Sequence, residues 1–284
     1  MQDISAIGAQ IRSRLPQLTP LERKVADAIM ADKSFNQATP LRDVAHNNGV
    51  SEAMVVKVTK KLDFSGFRDF RDNVARYKQL EVANLHSEVK SDDSSAEVLD
   101  KVFRTSTQAI EETSSILDVN EFNRAAKILF KAKFIGIYGV GGSSSVARDF
   151  CHKLLKIGIK STVYDDSHMM LMSASVLSDD DAIVAISHSG NTRTVVDPVS
   201  LAKKNGAKTI ALTNYDQSPL VDVSDVVLQS TSQGSHLLGE NAASRIAQLN
   251  IIDALFVAIA REDIESAERN YNKTHQAVAH LREL

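Results

Sequence analysis

Apolar residues in the first 80 positions recur at helical spacing, and no segment there alternates as a strand would. Residues typical of helix starts precede three of these segments: Thr19-Pro20 with Glu22, then Thr39-Pro40, and finally Ser51 with Glu52. Gly49 suits the tight turn before the third segment, because glycine takes positive φ without steric cost. The pattern therefore predicts three short helices arranged as a helix-turn-helix domain.

The pattern changes after Asn120, where short apolar runs alternate with helical segments. The runs are rich in β-branched or aromatic residues and comprise Phe134–Tyr138, Ser161–Tyr164, Asp181–Ile186, Thr209–Leu212 and Val226–Leu228. Helical segments are expected at 143–158, 168–177, 192–205 and 217–223, with two longer ones at 240–260 and 263–282. This alternation predicts a doubly wound α/β domain, a parallel five-stranded sheet with helices on both faces.

Serines and acidic residues interrupt the apolar pattern between the two parts. The interruption is typical of a linker, or of a helix that frays across Lys90–Ser95 and resumes near Val98. We therefore predict a helix-turn-helix domain at 1–80, a linker at 81–104 and an α/β domain at 105–284.

The second helix of the turn motif is the predicted recognition helix, which would enter the major groove by its first turn. The residues placed near base edges are Ser51, Glu52, Ala53 and Met54. Lys57, Lys60 and Lys61 are expected to point toward the DNA, and Arg68 toward a flanking phosphate. Two alternatives stay open: the lysines could contact bases or phosphates, or they could be solvated residues of an ordinary helical bundle.

The distribution of charged residues along the chain also favours DNA binding. Residues 1–80 carry 13 Lys+Arg and 9 Asp+Glu, whereas the remainder carries 20 and 27, giving the net charge of −3. A basic module favours a polyanion, because phosphate neutralisation dominates affinity for DNA.

The composition argues against several other classes of protein. The 43% hydrophobic content and 24% charged content of the 284 residues are ordinary for a globular protein. The single cysteine, Cys151, excludes an internal disulfide and a cysteine-based zinc cluster. No signal peptide and no apolar run of about 18 residues is evident, so we expect a cytoplasmic protein without a membrane partner.

Two polar loops follow predicted strands and each opens a helix. The first is Tyr138–Ser145, with glycines at 139, 141 and 142, and the second is Ile186–Thr192, with three hydroxyls around one glycine. Helix N-termini and hydroxyls bind phosphate oxygens without a metal, so the loops predict a small phosphorylated ligand. Gly139, Gly141 and an acidic residue about 20 positions on, Asp165, keep a nicotinamide cofactor as an alternative.

At these residues the chain resembles a known family. The two loops resemble the sugar isomerase (SIS) domain, and the preceding helices resemble the N-terminal domain of RpiR-type regulators. The resemblance covers all but about residues 81–97 and rests on Ser51–Met54, Phe64–Arg68, Gly139–Ser144, Ser187–Thr192 and Leu237–Leu249.

The resemblance implies a set of ligand-binding residues. Those around the phosphate are Gly141, Gly142, Ser143, Ser144, Ser187, His188, Ser189 and Thr192, and those near the sugar are His168 and Glu240. His168 could equally cap a helix, and Glu240 could equally be a first-turn charge. We interpret Arg245 as structural or interfacial.

These inferences favour a repressor of a sugar catabolic operon, gated by a phosphosugar and acting on operator DNA as a homodimer or homotetramer. The family includes members that respond to allose or ribose phosphates and to sialic-acid breakdown products. We favour N-acetylmannosamine 6-phosphate, because Glu240 could accept a hydrogen bond from its acetamido N–H. A sugar-phosphate isomerase is the alternative; it would need a general base from Glu240, His168 or His236. We expect no cofactor and no metal.

Overall fold

The computed structural model describes residues 4–80, 88–233 and 242–281. The N-terminal helices are α1 (Ile7–Arg14), α2 (Pro20–Ala31), α3 (Leu41–Asn47), α4 (Glu52–Lys61), α5 (Phe67–Tyr77) and α6 (Ser95–Ile116). Strands and helices then alternate as α7 (Val119–Lys131), β1 (Ile135–Tyr138), α8 (Gly142–Lys156), β2 (Ser161–Tyr164), α9 (Ser167–Val176), β3 (Ala182–Ile186), α10 (Arg193–Lys204), β4 (Lys208–Thr213), α11 (Pro219–Asp222), β5 (Val226–Gln229), α12 (Ala242–Glu262) and α13 (Ile264–Ala279).

The helix starts in the N-terminal part follow local capping chemistry. Thr19 and Glu22 form a reciprocal capping box ahead of α2, and the Ser51 hydroxyl accepts from the Met54 amide at the start of α4. Gly49 lies in the α3–α4 turn at φ +64°. The helix-turn-helix arrangement predicted from the sequence is therefore confirmed.

Two further helices complete the core around that motif. α1 and α5 lack a side-chain N-cap, so no start signal identified them in the sequence. Both bury one apolar face against α2 and α4, and the shared core contains Ile7, Ile11, Val25, Ile29, Val55, Val58, Leu62, Phe70 and Val74. The recognition helix thus shares its core with four other helices, α1, α2, α3 and α5.

A buried polar cluster joins α1, α5 and α6. Arg12 pairs with Glu112, which also accepts hydrogen bonds from the Tyr77 hydroxyl and, at 2.9 Å, from the Gln108 amide. Burial lowers the pKa of Arg12. Removing one partner of such a pair leaves a buried charge, which costs about 3–5 kcal/mol.

Because of this cluster, the second half of α6 packs with the N-terminal helices. The described residues of 1–116 and 231–243 form one compact unit, and those of 117–230 and 244–284 form another. α6 runs without a break across the limit that we placed between residues 104 and 105. The difference arises from partners such as Arg12 and Glu112, which lie far apart in sequence.

The sheet confirms the predicted fold class. Its five strands are all parallel, in the order β2-β1-β3-β4-β5. Alternate residues of β3 face opposite layers: Val184 packs with α7, α8 and α12, whereas Ile183 packs with α9, α10 and α11. Helices therefore cover both faces of the sheet.

α12 is the one helix among the described residues that is long and apolar enough to cross a membrane. Its apolar character is explained by packing in the core, since four of its residues are buried against the sheet: Ile251, Ile252, Leu255 and Ile259. An apolar helix of this kind is expected wherever a helix packs on a parallel sheet.

We expect Gly8→Ala to destabilise the N-terminal unit, although alanine is the better helix former by about 1 kcal/mol. The new Cβ would lie 2.2 Å from the Tyr77 hydroxyl oxygen and 2.4 Å from its ring carbon Cζ. Overpacking costs about 1–3 kcal/mol, and displacing the hydroxyl from Glu112 adds a similar cost. Thermal melting followed by circular dichroism measures the loss.

Gly66→Ala is the matched control for Gly8→Ala. Gly66 has an extended φ of 168°, and no atom lies within 4 Å of the added Cβ. Equal melting temperatures for the two variants would contradict the close packing of α1 on Tyr77.

Candidate functional site

The two glycine- and serine-containing loops lie where the sheet reverses its strand order. β1 has β2 on one side and β3 on the other, and its helix α8 covers one face whereas α10, after β3, covers the opposite face. A crevice opens at the carboxyl ends of strands at such a switch point, and it is the usual ligand site of open α/β sheets.

The chain passes very close to β3 as it leaves β1. A Cβ on Gly139 would lie 3.4 Å from the Ile186 carbonyl oxygen and 3.2 Å from that of Ser143. The ends of β1 and β3 are therefore brought together, and a larger residue at 139 would push them apart.

The first loop enters α8 through Gly141, whose φ of +57° favours glycine. Ser143 and Ser144 occupy the first turn of α8, and the Ser144 hydroxyl donates to the Gly141 carbonyl at 2.7 Å. The Ser143 and Ser144 amides donate to the Val140 and Gly141 carbonyls at 3.2 and 3.1 Å, and the N-terminus of the helix carries positive potential. The loop can therefore bind an anion.

Internal hydrogen bonds shape the second loop. The buried Ser187 hydroxyl accepts from the Gly190 amide at 3.2 Å and donates to the Thr192 hydroxyl at 3.3 Å. Ser189 accepts from the Asn191 amide at 3.2 Å, and Thr192 is the N-cap residue of α10. Since Ser187 donates its only hydrogen to Thr192, the Thr192 hydrogen is left to donate outward.

A network of hydrogen-bonded polar side chains holds the His188 ring in place. Its Nδ1 lies 3.0 Å from the Ser244 hydroxyl, and Ser244 donates to the Asn214 carbonyl oxygen at 2.8 Å. Ser230 donates to the same Asn214 oxygen. Because Ser244 has a single hydrogen, His188 Nδ1 carries the proton in this arrangement.

The residues that the sequence analysis placed near the sugar are His168 and Glu240. His168 is exposed in the first turn of α9, where its backbone amide donates to the Asp166 carboxylate at 2.9 Å. It follows β2, beside β1 in the sheet, and the residue that caps this helix is Asp166. Glu240 and His236 lie outside the described residues.

Within the described ranges, no group of three or more His, Cys, Asp and Glu side chains is arranged to hold a metal ion. The polar groups of the crevice include hydroxyls and backbone amides, which can donate hydrogen bonds to phosphate oxygens.

The recognition helix α4 buries Val55, Val58 and Leu62 and exposes its opposite side. The exposed set is Ser51, Glu52, Ala53, Lys57 and Lys60, with Met54 and Lys61 partly exposed. Arg68, at the start of α5, is 90% exposed and lies 3.9 Å from Asp72. The predicted DNA-contacting residues are thus available at the surface.

The structure adds a residue that the sequence analysis assigned only to capping. Glu22 is almost fully buried and contacts Lys61 at 2.6 Å and Lys57 at 3.2 Å. The Lys61 contact, followed by the Thr19 amide, lowers the pKa of Glu22 to about 2. Lys60, in contrast, pairs with no described carboxylate. No local pattern indicated this pairing, because Glu22 precedes the lysines by more than 30 residues.

Comparison with known families agrees with both parts of the chain. A helix-turn-helix domain model of the rpiR family matches residues 6–81, and the SIS domain model matches residues 128–258. The second match contains both loops of the crevice and favours the phosphosugar interpretation of the glycine-rich loop over the dinucleotide one.

Two similar proteins match nearly the whole chain. The HTH-type transcriptional regulator RpiR of Escherichia coli K12 is 39% identical over 264 residues, covering 93% of this chain and 89% of the relative. The structure of the Vibrio vulnificus NanR protein complexed with ManNAc-6P is 28% identical, with a TM-score of 0.63 over 98% of this chain and 100% of that one.

An enzyme shares the fold of the second module. Phosphoheptose isomerase from Neisseria gonorrhoeae is 22% identical, with a TM-score of 0.52 over 59% of this chain and 100% of its own. That likeness is one of fold. Taken with the matches to both modules and the identity to a full-length regulator, the chain belongs to the RpiR family of helix-turn-helix transcriptional regulators that carry a SIS domain.

Proposed function

We propose that this regulator is a repressor of a sugar catabolic operon, and that a phosphosugar bound in the SIS domain lowers its affinity for operator DNA. The observation that carries the proposal is the crevice between β1 and β3, where two helix N-termini and the hydroxyl-rich loops after both strands meet. The phosphate is held between Gly141–Ser144 and Ser187–Thr192.

The effector that we favour is N-acetylmannosamine 6-phosphate. The NanR structure contains ManNAc-6P, and it resembles this chain over nearly the whole length of both. An acetamido N–H needs an acceptor, which we assign to Glu240, and a sugar hydroxyl lies near His168. Allose phosphate and ribose phosphate are the alternative effectors, and a thermal-shift screen of phosphosugars separates them.

The gating proposal needs a connection from the crevice to the DNA-binding helices, and the chain itself provides one. Ser230 belongs to the polar chain behind His188, through Asn214 and Ser244. The next residue, Thr231, belongs to the N-terminal unit, where its amide donates to the Thr113 hydroxyl at 3.0 Å. A shift of the Ser230–Thr231 peptide would therefore change the contact of Thr231 with Thr113 in α6.

A sugar-phosphate isomerase is the second candidate, favoured by the fold it shares with phosphoheptose isomerase. It would leave the recognition helix unused. Turnover of a phosphoaldose–phosphoketose pair by the purified protein would identify this activity, and we expect none. We also infer a cytoplasmic location, because operator DNA is there.

We expect Lys60→Ala to lower the salt dependence of operator binding by about 0.9 in log K against log salt, the contribution of one phosphate contact. Lys57→Ala should have the smaller effect, because Glu22 already neutralises part of the Lys57 charge. Operator retardation across a salt series measures both slopes.

Lys131→Ala, an exposed lysine on α7, is the control for nonspecific loss of charge. A folded Lys60→Ala variant with the wild-type slope would contradict the placement of Lys60 on a DNA phosphate.

We propose a homodimer or homotetramer that binds a near-palindromic operator, because helix-turn-helix proteins match two half-sites with two recognition helices. Light scattering at micromolar concentration should give an even multiple of the 31.0 kDa chain. A monomer that occupies one half-site would contradict this assembly.

We expect the double variant Ser187→Ala/Ser189→Ala to weaken effector binding at least about a hundredfold, since each hydrogen bond to a charged group contributes about 1.5–3 kcal/mol. Ligand-free operator affinity should survive, because both serines lie in the other unit. Titration calorimetry and operator retardation, with N-acetylmannosamine 6-phosphate, test both statements.

Ser175→Ala is the matched control, since this exposed serine on α9 bonds only to the Met172 carbonyl among described groups. Wild-type effector affinity in the double variant would contradict the pocket. Effector binding by the wild-type protein without any change in operator affinity would contradict gating and leave the pocket standing.

A further inference from the structure

The first turn of α12 contacts both loops of the crevice. Ser244 reaches the second loop through its 3.0 Å contact with His188 Nδ1. The next residue, Arg245, reaches the first loop: a Cβ built on Gly142 would lie 3.2 Å from a terminal guanidinium nitrogen and 3.7 Å from Cδ. Two consecutive residues of one helix therefore line a third side of the site.

The guanidinium of Arg245 has no counter-charge in the described part of the chain. Arg148 pairs with Asp165, Arg124 with Glu121 and Arg269 with Glu265, whereas no described carboxylate lies within ion-pair distance of Arg245. Gly142, which the guanidinium approaches, is the first residue of α8, and the N-terminus of a helix is itself positive. A cation held against a positive helix end is an arrangement that an anion would complete.

We propose that Arg245 is a ligand-binding residue of the crevice, and that its guanidinium pairs with the phosphate dianion of the effector beside Gly142. The inference rests on the proposed phosphosugar site and replaces our structural interpretation of Arg245. Arginine suits this position because its planar fork donates two parallel hydrogen bonds to a phosphate. Gly142 suits it because any side chain there would occupy the space beside the guanidinium.

The test compares Arg245→Met and Arg245→Gln with the wild-type protein by titration calorimetry, using N-acetylmannosamine 6-phosphate and inorganic phosphate as probes. Loss of one charge-assisted pair should weaken both probes about tenfold to a hundredfold. Arg245 is exposed, so both neutral variants should keep the wild-type melting temperature.

Dependence on phosphate charge separates a direct contact from a structural role. The second pKa of a phosphate monoester is about 6, so wild-type affinity should rise between about pH 5 and pH 7.5 as the dianion forms. The Met and Gln variants should show a smaller rise, because they lack the charge that prefers the dianion. Arg261→Met, at the other end of α12, is the matched control and should behave as wild type.

The outcomes distinguish the two proposals. Wild-type affinity and an unchanged pH profile in the Arg245 variants, together with loss of binding in Ser187→Ala/Ser189→Ala, would overturn the role of Arg245 and leave the pocket intact. Unchanged binding in all of these variants would overturn the pocket itself. Weak binding in the Arg245 variants with wild-type behaviour of Arg261→Met supports the proposal.

Discussion

The site depends on one topological constraint, the reversal of strand order between β1 and β3. Because the chain turns to β2 on one side and then crosses to β3 on the other, α8 and α10 must leave the sheet toward opposite faces. Their starts then border a crevice at the carboxyl ends of the strands, and two positive helix ends face it. Residue types follow from that geometry: small residues at Gly139 and Gly142 let backbone and guanidinium approach, and hydroxyls fill the loops.

The N-terminal unit is stabilised by a different kind of interaction. Its apolar core would be satisfied by many helix arrangements, but Arg12, Tyr77 and Gln108 converge on a single buried carboxylate, that of Glu112. The carboxylate of Glu22, also buried, pairs with two lysines of the recognition helix, Lys57 and Lys61. Buried charges contribute little net stability, yet a misplaced partner is costly, so both clusters favour one register of α1, α4 and α6. The position of the recognition surface is therefore set by polar contacts on its inner side.

Features with a local cause could be predicted from the sequence. Capping residues located α2 and α4, and β-branched runs located the five strands to within two residues at either end. The crevice loops were found because each follows a strand and opens a helix. α1 and α5 were missed, since they have no side-chain cap. The pairing of Glu22 with Lys61 and the approach of Arg245 to Gly142 could not be predicted, because each joins residues that only the tertiary fold brings together.

The hydrogen bonds of the ligand-free loops constrain how an effector can act. The Ser144 and Ser187 hydroxyls already donate within the protein, to Gly141 and Thr192. A phosphate that recruits them must first break these bonds, so it gains less from each of them than from a donor without an internal partner. The Ser143 and Ser144 amides likewise donate to the Val140 and Gly141 carbonyls, whereas the Arg245 guanidinium has no carboxylate partner among the described residues. An effector shifts a conformational equilibrium only by its difference in affinity for the two states. That difference is therefore expected to come from the charged contacts, above all from how α12 presents Arg245 to the phosphate in each state.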